Sequence, residues 1–263
     1  MDETILVDRR AGYRVVTLNR PDRMNALDKP TLHALLATLA DAEADEACRA
    51  LLLTGTGRGF CAGADLSTVG NSDGIGRDVG AAIEETWNPL ARRLHNLRMP
   101  TVCAVNGVAA GAGANIAMGC DIVLAARSAR FVQAFSKIGL IPDCGGTFHL
   151  PRLVGEGRAR ALALLAEPVS AERAEAIGMI WRVVDDAALM QEAEAVAAQL
   201  ATLPTQALVL TRKALRASAQ NSFDQQLDLE RDTQREAGYT PDFAEGVRAF
   251  MEKRPPVFTG RKA

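Results

Sequence analysis

The chain has 263 residues, of which 48% are hydrophobic and 24% charged, a composition typical of a globular protein with a sizeable core. The formal net charge of −2 leaves no basic excess for a phosphate backbone, so we expect no nucleic-acid binding. The five cysteines are widely spaced and form no C-x-x-C pair, which disfavours disulfides and zinc sites and indicates a reducing compartment.

Membrane attachment is not expected either. The first residues are acidic and form no secretory apolar segment. Residues 99–120 contain no charge and approach a membrane-spanning length, but they include Pro100 and four glycines and lack leucine and phenylalanine. Small residues packed in a protein core explain this segment better than lipid does, and we therefore expect a cytoplasmic protein.

Strands and helices alternate in the first half of the chain. Residues 5–8 and 13–18 are rich in β-formers and flank a turn, which predicts a hairpin. Pro30 suits the first turn of a helix whose leucines at 32, 35, 36 and 39 share one face. Further strands are predicted at 50–54, 101–105, 121–125 and 131–133, a mobile loop near 70–80, a helix at 86–97 and a small-residue helix after residue 113.

The last third of the chain is predicted to be helical. Alanine-rich periodic segments follow one another from residue 145 onward, and a single short strand at 181–184 interrupts them. The predicted helices lie at 158–165, 171–177, 187–200, 205–217, 222–236 and 243–252.

No common nucleotide-binding or hydrolase motif explains the chain. It contains no G-x-G-x-x-G after a strand, no phosphate-binding P-loop and no G-x-S-x-G turn. His33, His95 and His149 are scattered without metal-ligand spacing, and we interpret each as a surface or structural residue. Catalysis, if present, is therefore expected to use carboxylates and backbone amides.

Two loops of small residues each follow a predicted buried strand, one at 61–66 and the other at 111–113. Such loops let backbone N–H groups face a ligand without obstruction. Two converging donors would form an oxyanion hole for a carbonyl that becomes an enolate. Close packing of a helix on a strand through small residues is the alternative explanation.

Asp143 lies between an apolar run and the Gly145-Gly146 pair. One interpretation is an N-cap, a position that favours aspartate. The other is a general base whose pKa is raised by an apolar pocket. Composition alone does not choose between them.

Several segments together resemble the enoyl-CoA hydratase/isomerase (crotonase) superfamily. They lie at 19–21, 25–27, 60–66, 105–121, 131–147 and 171–184 and in the tail. The resemblance extends over nearly the whole chain. It implies an α/β fold with a ββα spiral core at 1–200 that holds an acyl-CoA site, and a C-terminal helical trimerisation region at 201–263.

The resemblance assigns roles to individual positions. The family's oxyanion donors fall on the backbone N–H groups of Ala64 and Ala112. Hydratases of the family place two glutamates where this chain has Asn115 and Phe135, so plain hydration is not expected. Asp143 stands where some isomerases and dehalogenases place a working carboxylate. A dehalogenase would also need a tryptophan at 135 and a histidine at 88, and this chain has neither.

Within the superfamily, the resemblance is closest to isomerases that convert a ring epoxide of phenylacetyl-CoA to an oxepin in aerobic phenylacetate breakdown. Asp143, Ala64 and Ala112 are then the predicted catalytic residues, with Asp143 moving a proton next to the thioester. No metal is implied, and the only cofactor is the coenzyme A of the substrate. The segments that support this are 88–90, 105–114, 134–137, 139–147, 180–186 and 227–232.

The resemblance also implies binding residues and an oligomer. One apolar face of the last helix, formed by Phe243, Val247, Phe250 and Met251, matches the part that the family uses in trimers or dimers of trimers, although packing within one subunit would give the same pattern. Lys253, Arg254 and Lys262 are candidates for CoA phosphates. The substrate and CoA contacts are predicted at Arg23, Met24, Ala26, Ala62, Asp65, Leu66, Gly111, Asn115, Phe135 and Pro142.

Two other functions stay open on the sequence. Another crotonase-type isomerase or hydratase, acting on a different acyl-CoA, would have the same motifs, and the residues near 71–87 and Phe135 would set its pocket shape. A non-catalytic acyl-CoA-binding protein would keep the loops and use Asp143 only as a cap.

Overall fold

The structure is a computed structural model that describes residues 3–68 and 78–261. Most of the segment predicted to be a mobile loop therefore lies outside the described residues. The strands are β1 (Ile5–Arg10), β2 (Tyr13–Leu18), β3 (Ala50–Gly55), β4 (Gly59–Cys61), β5 (Thr101–Val105), β6 (Val108–Ala110), β7 (Ile122–Ala126), β8 (Arg130–Val132), β9 (Val169–Ser170) and β10 (Arg182–Val184).

Helices connect the strands of the core, where α4 is almost entirely buried, and they make up most of the C-terminal third. None of those in the described ranges is both long and apolar enough to cross a bilayer. They are α1 (Lys29–Ala44), α2 (Val79–Ala82), α3 (Asn88–Asn96), α4 (Ala112–Gly119), α5 (Gly146–Val154), α6 (Glu156–Leu165), α7 (Ala171–Ala176), α8 (Leu189–Thr202), α9 (Thr205–Ala217), α10 (Phe223–Gly238) and α11 (Pro241–Glu252).

Two sheets form by a repeated chain path. The larger sheet has the order β1-β2-β3-β5-β7-β10, and the smaller has the order β4-β6-β8-β9. After the first hairpin, successive turns of the chain add one strand to each sheet and then a helix, as in β3–β4–α3 and β5–β6–α4. The strands β3, β5 and β7 pair in parallel, as do β4, β6 and β8, whereas β1–β2 and β8–β9 are antiparallel. This is the ββα spiral that the family resemblance implies.

The central strands are apolar on both faces because other elements cover the sheet on both sides. Every residue of β5 is buried, and Leu51, Leu52 and Leu53 of β3 are fully buried. Helix α8 packs against β3 and β5, and α1 turns Leu32, Leu35 and Leu39 inward. A parallel sheet with both faces covered reads as continuous apolar runs, which is the pattern in the sequence.

Local signals set where several helices begin. Asp28 accepts a hydrogen bond from the backbone N–H of Thr31 and so caps α1, and Pro30 lies in the first turn as predicted. Ser222 and Gln225 form a capping box at the start of α10. These caps satisfy amides that have no partner inside a helix.

The predicted elements are confirmed with three kinds of difference. The strands β4, β6 and β9 were not predicted, because two or three residues are too few to show a period. Helix α5 was also missed, since it is short, begins at a glycine and has Pro151 in its interior. The predicted helix at 86–97 begins earlier, with α2 and a π-helical segment at Ile83–Trp87.

The C-terminal helices are fixed to the core by arginines. On α9, Arg212 donates to the carbonyl of Met99 (3.2 Å) and to the carboxylate of Asp121 (2.9 Å). The division at residue 200 stays a prediction, and it falls within the last turn of α8.

Candidate active site

An apolar cavity of about 250 Å³ lies where the loops that follow strands of the smaller sheet meet the π-helical segment and the stretch before α5. It is built from four parts of the chain: the loop after β4, the helical turns at 79–87, the start of α4, and a 3₁₀ helix at Ala134–Ile138 with the residues after it. The lining residues are Ala62, Ala64, Leu66, Val79, Ala82, Ile83, Trp87, Gly111, Ala112, Ala134, Phe135, Ile138, Leu140 and Asp143.

The two small-residue loops meet in this cavity because β4 and β6 are parallel neighbours. Gly59 pairs with Val108 and Cys61 with Ala109, so the loops that follow leave the same edge of the small sheet. They touch closely: a Cβ on Gly113 would lie 2.3 Å from the carbonyl oxygen of Cys61. Close packing through small residues is therefore present here, and Gly113 is needed for the approach.

The backbone of Ala64 presents its N–H away from the neighbouring chain. A parallel bridge joins this residue to Leu27 through two hydrogen bonds, Leu27 N to Gly63 O (2.7 Å) and Asp65 N to Leu27 O (3.0 Å). In an extended chain, successive N–H groups point to opposite sides, so the N–H of Ala64 points away from Leu27. The exposed Ala64 lies on the cavity wall.

Ala112 supplies a second amide of the same kind. It is the first residue of α4, where backbone N–H groups have no partner within the helix. Gly111 before it has φ +54° and ψ −127°, a conformation that glycine tolerates and other residues avoid. A Cβ on Gly63 would lie 3.3 Å from the nitrogen of Ala112, which shows how near the two loops are. Two amides and a helix N-terminus thus face one cavity, an arrangement that stabilises a developing oxyanion.

Asp143 does not cap a helix through its side chain. The N-cap of α5 is Gly145, and no side chain caps this helix. The main-chain carbonyl of Asp143 instead accepts from the N–H of Gly146 (2.8 Å) and from Nδ2 of Asn115 (2.8 Å). The interpretation of this residue as a simple helix cap is therefore wrong, and its carboxylate is left to the cavity.

The Asp143 carboxylate lies in an unusual environment. Its Oδ1 is buried, and no hydrogen-bond partner for it exists among the residues that the structure describes. Burial raises the pKa of Asp143 to about 6, because an anion is poorly solvated among apolar groups. Of the described lining residues, Asp143 is the only one with an ionisable side chain.

Asn115 and Phe135, the positions of the two hydratase glutamates, have different surroundings. Phe135 forms part of the cavity wall and is itself buried. Asn115 lies behind the wall, fully buried, between the carbonyl of Asp143 and the side chain of Gln133. Pro142 is half-buried and does not line the cavity.

Of the residues predicted near CoA, Ala62 and Leu66 line the cavity, whereas Met24, Ala26 and Asp65 support the loops from outside it. The carbonyl of Met24 accepts from the N–H of Ala62 (2.9 Å), and buried Ala26 precedes the bridge to Ala64. The Asp65 carboxylate pairs with Arg20 (3.0 Å) and accepts from the Ser67 hydroxyl (2.6 Å). The Ser67 hydrogen bond and the Arg20 charge together lower the pKa of Asp65.

The basic candidates for CoA phosphates are dispersed. Arg23 borders a separate surface depression formed with the segment Asn19–Asp22. Arg254 is paired with Glu245 (2.6 Å), Lys253 ends α11, and Lys262 lies outside the described residues.

The sequence did not reveal the position of Gln133 behind the cavity wall or the proximity of His95 to His149. Gln133 was assigned only to the end of a possible strand, although a polar residue within an otherwise apolar run was a usable signal. His95 and His149, which the sequence separates, lie with ring centroids 6.1 Å apart. Burial, with Arg216 nearby, lowers the pKa of His149 to about 4, which agrees with a structural residue. Neither histidine lines the cavity.

No group of three or more His, Cys, Asp or Glu side chains able to hold a metal ion is found in the described ranges. All five cysteines are buried and free. Burial raises the pKa of Cys61 to about 12, so this thiol next to the first loop is a poor nucleophile. Among the described lining residues, the polar groups that face the cavity are the Asp143 carboxylate and the backbone amides of Ala64 and Ala112.

Comparisons with known proteins agree with this geometry. The sequence profile of the enoyl-CoA hydratase/isomerase family matches residues 8–261. The chain is 54% identical to a 1,2-epoxyphenylacetyl-CoA isomerase of Escherichia coli K12, over 99% of this chain and 100% of that protein. It is 46% identical to a probable enoyl-CoA hydratase of Rhodobacter capsulatus, over 98% of each chain.

A solved structure gives the same result for the fold. The crystal structure of a putative enoyl-CoA hydratase/isomerase from Mycobacterium abscessus superposes with a TM-score of 0.89 at 34% identity, over 98% of this chain and 100% of that one. The chain therefore belongs to the enoyl-CoA hydratase/isomerase, or crotonase, family.

Proposed function

We propose that the protein is an acyl-CoA isomerase that moves a proton, and with it a double bond, next to the thioester. The thioester carbonyl binds between the N–H groups of Ala64 and Ala112, and Asp143 removes a proton from the adjacent carbon. The observation that supports this best is one buried carboxylate facing an apolar cavity that also holds two backbone donors.

Each part contributes to lowering the barrier. Losing a single oxyanion donor typically costs about 3 kcal/mol of transition-state stabilisation, so two donors account for much of the enolate's stabilisation. With a pKa of about 6, Asp143 is a stronger base than ordinary aspartate and is still mostly ionised at pH 7. After the enolate forms, the same carboxyl group returns the proton to a different carbon.

The proposed substrate is 1,2-epoxyphenylacetyl-CoA, and the product is the oxepin thioester. The ring epoxide opens by valence isomerisation to a seven-membered ring, and the proton shift then conjugates the new double bond with the thioester. No atom is gained or lost, so one carboxylate suffices. The relative named 1,2-epoxyphenylacetyl-CoA isomerase and the aromatic cavity residues Trp87 and Phe135 support this choice.

Hydration of an enoyl-CoA is the second candidate, because other relatives are named hydratases. Addition of water needs one group to activate the water and another to protonate the carbon. At the two positions where the family's hydratases have glutamates, this chain has Phe135 and the fully buried Asn115. The cavity therefore favours isomerisation over hydration. A non-catalytic acyl-CoA-binding protein is the remaining alternative.

Coenzyme A enters with the substrate, and we propose no other cofactor. Arg23, Met24, Ala26, Ala62, Asp65 and Leu66 belong to the segments proposed to lie along its pantetheine and nucleotide. We also propose a homo-oligomer, a trimer or a dimer of trimers, formed through the C-terminal helices.

The reaction type is tested by the mass of the product. The purified protein is incubated with 1,2-epoxyphenylacetyl-CoA and with a panel of unsaturated acyl-CoA thioesters, and the products are separated and weighed. We expect a product of unchanged mass, formed fastest from the ring epoxide. A product heavier by one water would show a hydratase, and tight binding without any product would show a non-catalytic protein.

A further inference from the structure

A pair of buried amides lies directly behind Asp143. Nε2 of Gln133 donates to Oδ1 of Asn115 (2.8 Å), and Nδ2 of Asn115 donates to the main-chain carbonyl of Asp143 (2.8 Å). Gln133 is only 3% exposed, and Asn115 is fully buried. Neither residue lines the cavity, so neither is placed to touch the substrate.

The direction of this chain of hydrogen bonds is fixed by chemistry. A backbone carbonyl only accepts, so Asn115 must present its NH₂ group to Asp143. The Oδ1 of Asn115 then faces Gln133, which must therefore present a donor in turn. This orientation leaves Oε1 of Gln133 buried with no partner in the described part of the chain, although an unsatisfied buried acceptor typically costs about 1–3 kcal/mol.

The segment that these amides hold is strained. Cys144, directly after Asp143, has a left-handed backbone conformation (φ +47°) that is costly for a residue with a Cβ, whereas Gly145 adopts φ +79° without strain. Asn115 also packs closely against Gly146: a Cβ on this glycine would lie 2.3 Å from Nδ2 of Asn115. The turn that aims the carboxylate at the cavity is thus fixed from one side by a single amide.

We infer that Gln133 is a positioning residue for the base. Its donor fixes the orientation of the Asn115 amide, and that amide fixes the main chain of Asp143 so that the carboxylate reaches the substrate. The inference rests on the proposed role of Asp143 and adds a residue that acts through two hydrogen bonds, without contact with the substrate.

The substitution Gln133→Glu tests the donor requirement with almost no change in shape. A neutral glutamic acid still donates to Asn115, whereas a glutamate anion only accepts. An anion makes Asn115 turn its NH₂ group toward residue 133 and its oxygen toward the carbonyl of Asp143. Burial raises the pKa of a carboxyl group, so the variant is neutral below that raised value and charged above it.

The expected result is a change in the pH profile of kcat. In Gln133→Glu, kcat falls at least tenfold as the pH rises toward 8.5, on an alkaline limb that the unmodified protein lacks. Gln133→Met has a side chain of similar length but no donor. It is expected to lower kcat by about the same factor as Gln133→Glu does at high pH, at every pH tested, so the shape of its pH profile matches that of the unmodified protein. In both variants KM changes less than twofold, because the cavity wall is intact. Circular dichroism confirms that both variants fold.

The result that overturns the inference is a kcat profile in both variants that matches the unmodified protein. If the unmodified protein itself turns over no thioester, the proposed function fails, and the inference is decided by carboxyl-¹³C NMR. The signal of Asp143, assigned with Asp143→Asn, is then expected to titrate at lower pH in Gln133→Met, because a released side chain reaches water. An unchanged titration overturns the positioning role.

Discussion

Asp143 combines two properties that oppose each other, a reactive carboxylate and a poor environment for charge. In solution its carboxyl group would lose its proton near pH 4, but burial raises its pKa to about 6. The shift makes the residue a better base. It also means that the folded protein at neutral pH contains an anion without full solvation.

This opposition gives a stability prediction for Asp143→Asn. Between pH 4 and pH 6 the folded state holds a proton that the unfolded state has lost, so rising pH destabilises the unmodified protein. Asparagine carries no such proton. The variant is therefore expected to gain stability relative to the unmodified protein as the pH rises, reaching about 2–3 kcal/mol above pH 7. Urea unfolding at pH 4.5 and at pH 8 measures the difference, and equal differences at the two pH values would contradict it.

At the scale of elements, the positions of the two amides proposed to bind the oxyanion depend on how closely α4 approaches β4. Gly113, in the first turn of α4, faces the carbonyl of Cys61 at a distance that leaves no room for a methyl group. The short strands β4 and β6 hold the two loops at one edge of the small sheet. A shift of α4 by a few tenths of an ångström therefore moves the N–H of Ala112 relative to that of Ala64.

Gly113→Ala is expected to lower kcat about a hundredfold, since it displaces one donor, and to lower the melting temperature as well. Gly157→Ala is the matched control, because a Cβ there meets no atom within 4 Å. Gly157 lies in α6, where alanine is the better helix former, so the control should be neutral or slightly stabilising. Equal activity in the two variants would show that the approach of α4 does not position the amide.

The sequence predicted most long elements because their periods extend over many residues, as in α1 with Leu32, Leu35 and Leu39. It failed for β4 and β6, which exist only because parallel neighbours pair with them. The sequence singled out Asp143 but did not decide whether it is a helix N-cap or a general base. That choice depends on whether its side chain accepts a hydrogen bond from a backbone N–H at the start of the helix. Gln133 was missed because its inferred role depends on a hydrogen bond to Asn115, which is distant from it in the sequence.

At the scale of the whole molecule, the C-terminal helices present an apolar surface that the subunit itself does not cover. Phe250 is 82% exposed and Met251 76% exposed, and Phe243 and Val247 on the same helix are about half exposed. Packing of this face within one subunit, the alternative open on the sequence, is therefore wrong. Apolar patches of this kind usually mark protein interfaces, which supports the proposed homo-oligomer.

Phe250→Asp is expected to dissociate the oligomer into smaller species without unfolding the spiral core, because a charge at the interface loses its water. Light scattering with size-exclusion chromatography gives the mass. Val7→Asp serves as the control, since Val7 is partly exposed on the edge strand β1 and not on this helix. If both variants form particles of the same mass as the unmodified oligomer, α11 is not the interface.

The account depends most on the transfer of a proton by Asp143, and hydrogen exchange in heavy water measures that transfer directly. A phenylacetyl-CoA analogue with an exchangeable proton next to the thioester is followed by NMR with the unmodified protein and with Asp143→Asn. Isothermal titration calorimetry monitors binding in parallel. The account predicts rapid exchange with the unmodified protein, exchange at least a thousandfold slower with the variant, and the same affinity within a few fold. Exchange at an undiminished rate in the variant would contradict it.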